Sequence, residues 1–117
     1  MRIVLLSMPD VAPVIMHESA FHMPNLGIAS IGANIGNRHD VYLIDLIRKR
    51  RHLRRYLTRT LTKLRPQVVG LSTMTWQYAT CLKLIRLIRF LLPEVTIVLG
   101  GYHATLMYQE IAASPEA

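Results

Sequence analysis

At 117 residues the chain is long enough for one domain with one hydrophobic core and too short for two. Apolar residues make up 51% and charged residues 18%, which excludes a disordered chain, and no apolar run approaches the roughly 20 residues of a membrane helix. The net charge of +7 is unevenly placed, with no Asp or Glu between Asp45 and Glu94.

The elements follow one another plainly along the chain. Arg2 to Leu6, "RIVLL", is a short apolar run that reads as a buried strand. Pro9 and Asp10 end the run too early for a secretory signal. A long loop follows, from Ser7 to about Asn25. "PNLGIASIGANIG" reads as a helix, with Leu26, Ala29, Ile31 or Ala33, and Ile35 marking its apolar face and Gly36-Asn37 its stop. "DVYLIDL" is a second strand from Asp40 to Asp45. A basic helix is expected from Lys49 to Leu64, ending before Pro66. "QVVGLST" is a third strand and "WQYATCLKLIRLIRFLL" a third helix, ending before Pro93. "VTIVLGG" is a fourth strand, and "ATLMYQEIAA" opens a fourth helix.

This βαβαβαβα pattern predicts an α/β fold. Strands so apolar are covered on both faces, which calls for a parallel sheet between layers of crossover helices. Right-handed crossovers give a doubly wound, flavodoxin-like, three-layer αβα domain with strand order 2-1-3-4. Such a domain normally has a fifth strand, so the chain is read as a single domain, residues 1–117, at the N-terminal end of a longer protein. Ligands of such folds bind at the C-terminal edge of the sheet, at the switch point between the first and third strands.

Three loops converge on that edge. The first, about 18 residues long, exceeds the two to six common in compact α/β units, which points to function. It contains "HESAFH", but His17 and His22 are five apart. On a helix they would lie about 140° out of phase, so this is not the zinc site of an HExxH helix. The second loop carries Ser72, Thr73 and Thr75, hydroxyls that can cap a helix or hold a ligand; Thr75 is the expected cap. The third is "VLGGYHATL", where Gly100 and Gly101 leave a slot in which a flat or extended ligand can lie on the backbone. No GxGxxG, GxxxxGK[ST] or GxSxG motif occurs.

The basic stretch "RKRRHLRRY" holds Arg48, Lys49, Arg50, Arg51, Arg54 and Arg55. Leu53, Tyr56, Leu57, Thr60, Leu61 and Leu64 recur at helical spacing through the same region, so its charges read as the solvated face of a helix. A nucleic-acid surface is the weaker reading, because no groove-entering motif or set of stacking aromatics accompanies them. Cys81 is the single cysteine, so no internal disulfide forms; it sits within a helical pattern as a buried structural thiol and fits a reducing, cytoplasmic setting.

"PNLGIASIGANI" before "DVYLIDL", then "PQVVGLSTMTWQYATCLKLIRLIRFLLPEVTIVLGGYHAT", resembles the N-terminal cobalamin-binding-type domain of class B radical S-adenosylmethionine (SAM) enzymes, over about Pro24 to Ala113. The resemblance implies cobalamin as cofactor, with the corrin over the C-terminal edge and the nucleotide tail between strands. By position, the tail would meet Ser72, Thr73 and Thr75. Gly100 and Gly101 would form the slot, with Tyr102, His103 and Ala104 on its rim, and Ser7 and Pro9 would begin the loop facing the ring. The cobalt-ligating Asp-x-His-x-x-Gly of some cobalamin domains is absent, because Asp10 is followed by Val11 and Ala12. The CxxxCxxC motif is absent too, so SAM and a 4Fe–4S cluster belong to a downstream radical SAM domain, the implied partner. The alternative is the same fold without cofactor, acting as a docking module. Its apolar surplus would be Leu84, Leu87, Phe90 and Leu91 on the third helix, beyond the stripe Leu82, Ile85, Ile88 and Leu92. Self-association through that helix or the exposed fourth strand is a further expectation.

Overall fold

The computed structural model describes residues 1–10 and 25–115. The remainder of the first loop, with His17 and His22, lies outside the described residues. Four strands, β1 (Arg2–Ser7), β2 (Asp40–Asp45), β3 (Val68–Ser72) and β4 (Thr96–Gly100), form one parallel sheet in the order β2-β1-β3-β4. The expected flavodoxin-like three-layer architecture is therefore observed.

Alternation along the strands sorts the core into two halves. Val4 and Leu6 of β1 and Val69 and Leu71 of β3 point to one face, where they pack with Leu57 and Leu61 of α2 (Leu53–Leu64) and Cys81, Leu84, Ile85 and Ile88 of α3 (Tyr78–Leu91). Ile3 and Leu5 point to the other face, against Ile28 of α1 (Leu26–Ile35). The larger half has α2 and α3 above it. The smaller has α1, whose Gly32 lies so close to β2 that a Cβ there would stand 2.9 Å from Leu43 Cδ2.

Several expectations need correction. The apolar face of α1 is Ile28, Gly32 and Ile35, while Leu26 and Ile31 are exposed. Leu84 belongs to the core and is not surplus surface; Phe90 is the exposed apolar residue of α3. The basic helix does not start at Lys49. A 3-10 helix, Leu46–His52, precedes α2 and breaks at Lys49 (φ −117°, ψ 15°). Asp45 starts it by accepting a hydrogen bond from Ile47 N, and its short i→i+3 turns reach Leu53 before α-geometry begins. The segment after β4 is not one helix but two short ones, α4 (Tyr102–Leu106) and α5 (Tyr108–Ala112), joined at Met107. α2 stops where expected: Arg65 takes a left-handed conformation (φ 47°) and donates its N–H to Leu61 O, and Pro66 follows.

Candidate functional site

The registers of the three strand pairs align Asp45, Ser7, Ser72 and Gly100 in one row across the sheet. Each is the last residue of its strand, so the row is the C-terminal edge itself. It replaces the apolar interior with two hydroxyls, a carboxylate and a residue without a side chain. Ser7 Oγ donates to Asp45 Oδ1 at 3.0 Å, an oxygen that also accepts from Ile47 N at 3.1 Å. Ser72, next in the row, has a part-buried hydroxyl with no hydrogen bond among the described residues.

A crevice of about 590 Å³ opens above this row. Ser7 and Met8 come from β1 and its loop, Asn25 and Gly27 from the start of α1, and Asp45 and Ile47 from the end of β2. Ser72, Met74 and Gln77 come from the β3 side, and Gly101, Tyr102 and Thr105 from the β4 side. It thus straddles the switch point between β1 and β3, where crossovers leave in opposite directions and the loops part.

The local chemistry explains why the loops hold this shape. The Asn25 side chain caps α1 by accepting from Ile28 N at 3.2 Å. Gln77 is buried, accepts from Met74 N at 3.0 Å and donates to Asp10 O at 3.2 Å, so it ties the loop after β1 to the turn before α3. The loops after β3 and β4 are joined by backbone bonds, Thr73 N to Gly100 O at 3.0 Å and His103 N to Thr73 O at 3.3 Å. Gly101 makes that approach possible. Its φ is +92°, and a Cβ on it would lie 2.5 Å from Thr73 O.

The expected site residues divide accordingly. Ser7, Ser72, Gly101 and Tyr102 line the crevice. Gly100 ends the row below it, and a Cβ there would meet only Leu71 O, at 3.9 Å. The other expected hydroxyls are turned elsewhere. Thr73 is buried and donates to Met74 O at 3.0 Å. Thr75 is exposed and lies 3.3 Å from His103 Nδ1; it does not cap the turn Thr75–Gln77, whose leading N–H, on Met74, is taken by Gln77. His103 is not a rim residue: it is buried, with its ring 4.1 Å from that of Tyr78. Pro9 is buried and Ala104 half-buried, both outside the lining.

Asn25, Gly27, Met74, Gln77 and Thr105 are lining residues that sequence reasoning missed. Two carried a readable signal. Asn25 precedes a helix, as capping residues do, and Gln77 stands three residues after Met74, the spacing at which a Gln side chain returns to the first free N–H. In the core under α2 and α3, Cys81 is a buried thiol as expected. Burial raises its pKa from 9.0 to about 12, against a smaller lowering from the Thr73 hydroxyl. Among the described residues no group of three His, Cys, Asp or Glu could hold a metal ion, and no helix is long and apolar enough to cross a membrane.

No curated protein and no solved structure matches the chain. The family model of the B12 binding domain matches residues 12–117, which includes three of the four strands, all the described helices and all the crevice loops except the first residues after β1. With that match and the switch-point crevice in place, the chain belongs to the B12-binding domain family.

Proposed function

We propose that this chain is a cobalamin-binding module that positions a corrinoid for a radical SAM domain encoded downstream, in a reducing cytoplasmic setting. One observation carries the reading: a crevice at the switch point lined by Ser7, Ser72 and Gly101, in which the Ser72 hydroxyl makes no hydrogen bond among the described residues. A partly exposed hydroxyl with no bond to the described residues is ready to serve a polar group of a ligand, and the residues present fit a nucleotide tail of the kind cobalamin carries.

Ser72 and Ser7 would bond the polar groups of the tail. Gly100 and Gly101 would let it pass close to the backbone, and Tyr102 and Met74 would cover apolar surface at the mouth. Gln77 and Asn25 would hold the walls in place. Bound cobalamin supplies the organometallic chemistry of its cobalt; the chain's part is to bind, orient and exclude water. Titrating the folded chain with hydroxocobalamin, followed in the visible spectrum, is expected to give a saturable change with a dissociation constant of about micromolar or below. Absence of binding by both the folded chain and the full-length protein would overturn the proposal.

A second reading, a docking module with an empty crevice, draws support from Phe90, which is 79% exposed on α3, and from Val98, which is 53% exposed on β4. Among the described residues β4 pairs with β3 alone, which leaves its other edge for a strand from a neighbouring domain or a second copy of the chain.

A further inference from the structure

A second concavity, of about 550 Å³, lies beside the crevice. The 3-10 helix Leu46–His52 and the first turns of α2 enclose it. The break at Lys49 and the non-helical His52 (φ −131°, ψ 40°) fold the basic stretch back over the helix that follows. Arg48, Lys49, Arg50 and Arg51 therefore face Arg55 and Arg59, which are four residues apart on one side of α2. These cations are exposed to solvent, as expected, and six of them also surround an open hollow.

Asp45, the nearest carboxylate in sequence, is engaged with Ser7 and Ile47. Among the described residues no acidic side chain pairs with these six cations. The first turn of α2 holds no acidic residue and its leading residue, His52, makes no side-chain cap, so the positive end of the helix adds to the same field. Six like charges and a helix end repel one another, and the arrangement weakens the fold unless an anion balances it.

We propose that this hollow is a binding site for a compact ligand carrying a di- or triphosphate. Guanidinium groups match phosphate oxygens in pairs, and several converging ones suit a multiply charged group better than a single carboxylate. The concave shape favours a small ligand over a polymer. Tyr56, the phenol of the lining, has its face occupied by Lys49 Nζ, 4.9 Å from the ring centre, so it offers no free platform for stacking a nucleobase. Ile47 lines both cavities, so a ligand anchored by its phosphates would extend its other end toward the crevice. The site stands whether or not cobalamin binds.

The test is an amide-shift titration of the full chain with inorganic tripolyphosphate at low salt, without cobalamin. Shifts are expected over residues 47–59, with affinity at least about tenfold lower in an Arg51→Gln/Arg55→Gln variant and unchanged in an Arg38→Gln/Lys63→Gln control. Circular dichroism establishes that the variants are folded. Binding to phosphatidylglycerol vesicles that tripolyphosphate does not displace would mark a membrane surface and overturn the proposal. Absence of shifts at residues 47–59, equal affinity in the cavity variant, or oligouridylate binding that tripolyphosphate does not displace would overturn the proposal; the last would mark a nucleic-acid surface. Because the titration contains no cobalamin, its failure leaves the proposed function standing.

Discussion

Gly100 and Gly101 are adjacent and do different things. Gly101 is held by the fold, at φ +92° and with Thr73 O where a Cβ would be. Gly101→Ala is therefore expected to destabilise the chain by about 2–4 kcal/mol, read from urea denaturation. Gly100→Ala is expected to change stability by under about 0.5 kcal/mol, because its Cβ would meet only Leu71 O, at an ordinary contact distance of 3.9 Å. The sequence displayed the glycine pair but not this division, which depends on where another loop passes. His103 was misread for the same reason. A histidine after a strand looks available, and only the packing of Tyr78 shows that it is buried. Cys81 was legible, since its place in a helical pattern already made it a core residue. With its pKa raised from 9.0 to about 12, the folded state keeps the proton that the unfolded state loses. Its contribution to stability is thus fully present below pH 9 and lost as pH rises toward 12, at about 1.4 kcal/mol per pH unit between those limits. A denaturation series across that range measures the slope.

At the scale of elements, the strands and their order followed from short apolar runs separated by helical ones. The helix starts did not. Periodicity marks which side of a helix is buried, yet it does not distinguish a 3-10 turn from the first turn of an α-helix, so Lys49–His52 was merged into α2. Nor does it foresee the break at Met107. Helix ends also offer direct tests. Asn25→Ala removes the cap of α1 and is expected to cost about 1 kcal/mol in thermal or urea unfolding. Arg65 bears the left-handed conformation at the end of α2 with a side chain attached, so Arg65→Gly is expected to stabilise the chain by up to about 1 kcal/mol. A loss of stability in Arg65→Gly would show that the side chain contributes more than its backbone costs.

At the scale of the whole molecule, the domain has a polar edge and an open side. The open side is β4, with one hydrogen-bonded neighbour among the described residues and an exposed Val98. Concentration-dependent association in sedimentation is expected to fall in Val98→Lys, with cobalamin binding unchanged; an unchanged sedimentation profile would assign any association to another surface. The polar edge is where the account rests. The row Asp45, Ser7, Ser72 and Gly100 lies under the crevice at the switch point where cobalamin is proposed to bind, and the most direct measurement is an amide-shift map of the folded chain titrated with hydroxocobalamin. The account predicts saturable shifts at Gly27, Ser72, Gly101 and Tyr102, with little change at the opposite edge around Gln67 and Thr96. Shifts confined to the basic hollow or to β4, with the crevice residues unmoved, would contradict it.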